Sequence, residues 1–269
     1  MIVNIFMIVQ LNNRALLKLS GNDVQSFLQG QFSNDINALE ENTIQQNAYC
    51  QHQGKIIALI WVMKQGVDYY LSFPADLAEI ITKRLTMFKM MSDVVIADVS
   101  NKIIQLGITD EEFEDTFKLN DHQSIVLVKN AENFELSDED LWNKSCIENG
   151  VAEVFLATTE KFVPQLLNLD IDEVGLSFTK GCYPGQEVVA RLHYLGTSKR
   201  RMRAFECDTD INVGDELIVD GSKSAKASGL VVRCVKLKDK SLCLATVEVA
   251  HEDDKITLND ANGALLTRI

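Results

Sequence analysis

The densest chemistry in this chain lies in one run: Lys180, Gly181, Cys182, Tyr183, Pro184, Gly185, Gln186 and Glu187, with Arg191 shortly after. A thiol stands two residues from an ammonium, and a Gln-Glu pair follows. Pro184 suits the first turn of a helix, where its missing N–H costs nothing. Val188, Val189 and Leu192 then fall on one helical face, and Gly196 ends the run. Cys182 is therefore expected on the loop just before a helix N-terminus. Unpaired N–H groups and the positive dipole end favour an anion at such a place. Lys180 adds positive charge and Glu187 opposes it; the balance favours thiolate over thiol. A free cysteine is more commonly a small buried residue. Against that ordinary reading stands the company it keeps, since a structural turn does not need this many functional side chains.

Such a loop needs a scaffold. Residues 15–19 predict a strand, followed by a helix carrying Val24, Phe27 and Leu28 and capped by Asn22 or Asp23. Residues 43–50, 56–63 and 67–73 predict successive antiparallel strands joined by short turns. The middle one is almost wholly apolar, as an inner strand is. Residues 74–76 open a longer helix with Leu77, Ile80, Ile81, Leu85 and Phe88 on one face. Residues 94–97, 103–108 and 124–128 return to strand, and 111–118 predicts a short acidic helix. Ser137 caps a helix that carries Trp142 and runs into Ile147, Glu148, Asn149 and Gly150. The apolar N-terminus, residues 1–11, reads as a buried strand, too short to span a bilayer. Strand, helix and strand runs with short turns fit an α+β architecture with helices on one side of antiparallel sheets. After Gly196 the texture changes. The basic cluster 199–203 looks like a solvated junction, and short strands follow at 202–207, 216–219, 229–237, 241–249 and 264–269. Turn groups such as 213–215, 220–222 and 259–263 separate them, as in a small β-barrel or sandwich. The chain thus divides into 1–196 and 197–269.

The chain has 269 residues and a net charge of −13. Residues 1–196 carry 14 basic and 27 acidic side chains, whereas 197–269 carry 12 of each. Such an acidic balance argues against a general nucleic-acid or anionic-membrane binder. Six cysteines are scattered with no Cys-x-x-Cys pair. That pattern suggests free thiols in a reducing compartment, read as the cytoplasm, and offers no zinc or iron–sulfur cage.

The pattern Lys-x-Cys-Tyr-x-Gly-Gln-Glu, met here at Lys180, Cys182, Tyr183, Gly185, Gln186 and Glu187, resembles the signature of the YgfZ-type folate-binding proteins. These are relatives of the glycine-cleavage T-protein. The likeness extends over 19–35, 142–150, 162–170 and 178–196. It implies two mixed α+β lobes and a C-terminal β-barrel in a ring around a central folate pocket. It implies tetrahydrofolate or a derivative as cofactor, and iron–sulfur client enzymes or cluster-assembly proteins as partners. The role implied is support of iron–sulfur clusters, with an indirect effect on tRNA modification and with no membrane or direct nucleic-acid contact. Cys182 would be the reactive thiolate and Lys180 its charge-tuning neighbour. Glu148 would accept paired N–H donors of the pterin, and Trp142 would be either a flat platform for it or a core residue. Tyr183, Gln186, Glu187 and Arg191 would hold the loop and its ligand. Gln29, Gln31, Asn34, Gln165 and Asn168 either face the cavity or are structural. Two departures stand out: Arg14, where bacterial members often have an aromatic, and Cys146, where T-proteins tend to have arginine. The second weakens a claim to aminomethyl transfer. An aminomethyltransferase of glycine cleavage and a non-catalytic folate-sensing module remain the alternatives.

Overall fold

A computed structural model of the chain describes residues 7–111, 113, 115–220 and 227–269. Residues 1–6 of the expected first strand, and Gly221 and Ser222 of one expected turn, lie outside that range. Met7–Gln10 (β1) is followed by Arg14–Ser20 (β2) and the helix Val24–Gln31 (α1). Then come Ile44–Cys50 (β3), Ile56–Gln65 (β4), Asp68–Pro74 (β5), Ala78–Lys89 (α2) and Val95–Asp98 (β6). The first lobe is an antiparallel sheet in the order β3-β4-β5-β2-β6. The apolar run of β4 has a physical reason. Ala58, Ile60 and Val62 pack into one core with residues of α1 and α2. Ile56 and Leu59 join a cluster reaching into the C-terminal barrel, while Trp61 and Met63 join the core of the second lobe. Both faces of this strand are covered, so no polar alternation survives.

The second lobe pairs β1 with Ile104–Thr109 (β7), Phe117–Asn120 (β8) and Gln123–Val128 (β9), in the order β1-β7-β9-β8. The helix Glu139–Glu148 (α3) packs on β1 and β7. The acidic helix expected at 111–118 is not formed among the described residues. Phe117 is buried in β8, paired with β9, because a core position for that ring outweighs local helix preference. Two caps also differ. Asp23, the residue before α1, accepts from the Asp93 N–H instead of capping its own helix. Asp138, not Ser137, caps α3 by accepting from the Asp140 N–H. Phe88, expected on the buried face of α2, is 46% exposed.

After Gln186–Leu195 (α4) the chain forms Arg200–Cys207 (β10), Glu216–Val219 (β11), Gly229–Lys236 (β12) and Ser241–Glu248 (β13). Ile256–Leu258 (β14) and Leu265–Arg268 (β15) complete the set. These strands close a barrel in the order β10-β13-β12-β11-β14-β15. The basic cluster is not a free patch. Arg201 grips Asp170 with two bonds (2.5 and 3.0 Å), Arg200 pairs with Glu248, and Arg203 with Glu252. No helix among the described residues is long and apolar enough to cross a membrane.

The three parts meet on one buried carboxylate. Glu153 is 1% exposed and pairs with Arg14 from β2 and with Arg233 from β12. The Arg14 guanidinium lies 3.6 Å from the Trp61 ring centroid, and its Nε donates to Ser72 Oγ. Arg233 also donates to Asn143 of α3.

Candidate functional site

The loop between residue 175 and α4 is tied to the end of α1 bond by bond. Ser33 Oγ donates to the Gly175 carbonyl (2.6 Å) and accepts from the Ala48 N–H (2.7 Å). The Ser177 N–H donates to the Ser33 carbonyl. Asn34 Nδ2 donates to the carbonyls of Gln46 and Val174. Lys180 completes the seam. Its Nζ donates to the carbonyls of Gln29 (2.8 Å), Phe32 (2.5 Å) and Asn34 (2.8 Å). Three ammonium hydrogens meet three carbonyls at and just beyond the negative end of α1, where a cation is favoured. Burial pulls the Lys180 ammonium down to about 8, with Asp35 partly offsetting that. The Lys180 ammonium is thus committed to three backbone oxygens, and the residue positions the loop that carries Cys182. The second signature of the sequence is bolted onto the first.

Two turns touch beside it. Gly185 precedes α4 with φ +86°, and a Cβ there would lie 2.6 Å from Gln51 O and 2.7 Å from Gly54 Cα. Only glycine allows both that backbone conformation and that approach. Pro184, expected in the first helical turn, lies in the turn before the helix.

Cys182 is the only exposed cysteine of the six, and no described residue hydrogen-bonds its sulfur. Cys50, by contrast, is buried and its thiol is pushed up to about 12. Tyr183 is also buried, its hydroxyl raised by desolvation; the ring lies 5.4 Å from Lys180 Nζ and anchors the loop from within. Gln186 is half-buried, while Glu187 and Arg191 stand exposed on α4 without an ion pair among the described residues. Trp142 is 2% exposed, edge-on to Trp61 at 6.4 Å, and a Cβ on Gly107 would meet its ring at 2.6 Å. Of its two readings the structure gives the core residue. Glu148 sits on the surface of α3, paired with Lys144 at 2.5 Å. Gln165 is structural, donating to the Val189 carbonyl at 2.8 Å, and so is Gln29, which accepts from the Ile36 N–H. Gln31 Oε1 is buried without a partner. Cys182, Lys180, Tyr183 and Gln186 thus come together, with Glu187 and Arg191 further along α4. Trp142 and Glu148 belong to α3, against the second lobe and the barrel.

A cavity of about 340 Å³ opens where the lobes meet, lined by Gln46, Asn120, Asn149, Val151, Asn168 and Asp172 among others. Asn168 adopts φ +61°, a conformation asparagine tolerates, and Nδ2 donates to the Met202 carbonyl. Its Oδ1 is buried and unpartnered. Asn168 was visible in the sequence; Gln46, Asn120 and Asp172 carried no motif. Glu153 was missed although it had a signal, a lone acid within Val151, Ala152 and Val154.

An aminomethyltransferase T of the glycine cleavage system from Bartonella henselae superposes with a TM-score of 0.69, covering 98% of this chain and 84% of that one at 12% identity. Two mixed lobes and a closed barrel are thus a fold that this chain shares with that aminomethyltransferase. An uncharacterized protein of Haemophilus influenzae is 29% identical over 85% of this chain and 84% of its own length. The tRNA-modifying protein YgfZ of Hamiltonella defensa is 27% identical over 97% of this chain and 89% of its own. The chain is thus similar, over most of its length, to proteins named tRNA-modifying protein YgfZ. No family model matches it.

Proposed function

We propose that the protein is a folate-binding accessory factor that supports iron–sulfur enzymes in the cytoplasm through the thiol of Cys182, acting on tRNA modification indirectly. The observation that carries this reading is the contrast within one loop. Ser177, Lys180 and Tyr183 are buried and hold it rigidly, while Cys182 alone presents a free sulfur to solvent. Rigid presentation of one reactive group is what a functional site requires. The relatives named tRNA-modifying protein and the shared fold support the class of function.

Tetrahydrofolate fits the inter-lobe cavity by its donor set. The pterin edge presents paired N–H donors, and Asn168 Oδ1 waits buried for one. Gln46 and Asn120 add amides, and Asp172 supplies a carboxylate among the lining residues. When bound, the group supplies carriage of a one-carbon unit. The chain's own residues orient it and keep Cys182 available.

Calorimetric titration with tetrahydrofolate tests the reading. Wild type binds, Asp172→Asn weakens binding by tenfold or more, and Cys182→Ala binds as wild type while losing support of iron–sulfur enzyme activity in cells. Absence of binding by wild type would overturn it. Ammonia release from an aminomethyl-carrier substrate would favour the aminomethyltransferase, and full rescue by Cys182→Ala would favour the folate sensor.

A further inference from the structure

We infer that the second lobe holds a small-molecule site of its own, one that takes an aliphatic amine carrying two or more ammonium groups. The site is a cavity of about 410 Å³ bounded by the segment after β7, the strand β8 and the turn into β9. That volume lies within the range of small-ligand pockets, roughly 300–1,000 Å³. Asn120 is the one lining residue it shares with the inter-lobe cavity. One hydroxyl there lacks a partner. Ser124 of β9 is 7% exposed, stands opposite Lys118 of β8 and lines the cavity. Its Oγ is buried with no hydrogen bond among the described residues. A buried hydroxyl left unpaired is costly, and an N–H donor in the cavity would remove that cost.

Charge selects the ligand. Residues 110–124 hold six acids, one lysine and one histidine. Asp110, Glu111 and Asp121 line the cavity, against Lys118 and His122. Lys118 is taken by Asp121 (3.0 Å), and His122 Nδ1 lies 3.0 Å from Asp110 Oδ1. The lining is therefore acidic with the imidazole neutral, and still acidic with it protonated. The adjoining first-lobe segment brings no spare cation, because Lys64 pairs with Glu41 (3.9 Å). Such a wall attracts ammonium and repels the carboxylates at the glutamate end of a folate. Among the described residues no three His, Cys, Asp or Glu side chains gather as a metal-binding set. Carboxylates dispersed around a cavity of this size match charges spaced along a methylene chain. Phe113 lines the same cavity and offers those methylenes an apolar surface.

Calorimetric titration of the full chain with spermidine at fixed ionic strength tests this. Spermidine is expected to bind, and N-acetylputrescine, with a single ammonium, to bind about tenfold more weakly or worse. Glu111→Gln, an exposed change that leaves the core intact, should weaken spermidine by about tenfold, the loss of one charge-assisted hydrogen bond. Ser124→Ala should weaken it too, with an unchanged urea midpoint. Glu79→Gln, an equal change of charge on α2, should leave it at the wild-type level, as should an equal concentration of magnesium ion. Iodoacetamide alkylation of Cys182 should be the same in every variant. No binding of spermidine overturns the site, and so does binding indifferent to Glu111→Gln or to Ser124→Ala. Equal weakening by Glu79→Gln, or displacement by magnesium, would show attraction to an acidic chain as a whole and overturn it as well.

Discussion

Lys180 holds three carbonyls with one ammonium, and that fact separates its importance from its expected role. The sequence marked the residue by its distance of two from Cys182. Spacing says nothing about where a four-carbon stem turns, and this one turns back to α1. Its buried seat has a pH signature. The folded value of about 8 lies below the ordinary lysine value of 10.5, so the folded protein releases this proton before the unfolded chain does. Between those values the unfolded state binds more protons, and the group makes stability rise with pH. Wild type should therefore gain on Lys180→Met in urea unfolding as pH rises from about 8 to about 10.5; a constant difference across that window would contradict the assignment. Cys182, being exposed, makes the opposite prediction: Cys182→Ala should change unfolding free energy by no more than about 0.5 kcal/mol.

Single elements were legible where their pattern was local. The unbroken apolar run of β4, the helix α2 and five of the six barrel strands follow from hydrophobic pattern and turn residues. β8 and β14 did not, for different reasons. β8 follows an acidic stretch that favours helix locally, and only its pairing with β9 and the burial of Phe117 make it a strand. β14 has three residues, too few for any period to show. Trp142 illustrates a further limit, since the sequence shows a flat aromatic but not the glycine facing it. Gly107→Ala should drive a methyl into that ring and cost about 1–3 kcal/mol, read as a lower urea midpoint with an unchanged slope. At the Cys182 loop, Gly185→Ala meets backbone atoms on one side and a positive φ on the other. It should alter the alkylation rate of Cys182 as well as stability, whereas an effect on stability alone would show that the contact does not position the thiol.

The whole molecule turns on Glu153. Arg14 and Arg233 lie 139 and 80 residues away in sequence, so no reading of local pattern pairs them. What the sequence did show was each half of the anomaly: an arginine where an aromatic is usual, and Cys146 where an arginine is usual. The structure brings the two together, with Arg14 and Arg233 both influencing Cys146. Removing the acid leaves two buried guanidiniums opposed. Glu153→Gln should cost about 3–5 kcal/mol, a large share of the roughly 5–15 kcal/mol that stabilises a typical domain. Replacing all three by apolar residues of similar volume should cost far less. A mild effect of the single change would mean that water reaches this interior.

The three charges of that cluster are drawn from the first lobe, the stretch after α3 and the barrel. Arg14 and Glu153 pair within the first 153 residues, and Arg233 brings a second cation to the same acid. Seating the barrel therefore buries a second guanidinium against a carboxylate that already has one, which leaves the interior cluster with an excess positive charge. A chain halted after residue 196 would lack Arg233 and leave Ile56 and Leu59 without Met202, Val232 and Leu244, the barrel side chains that share their core.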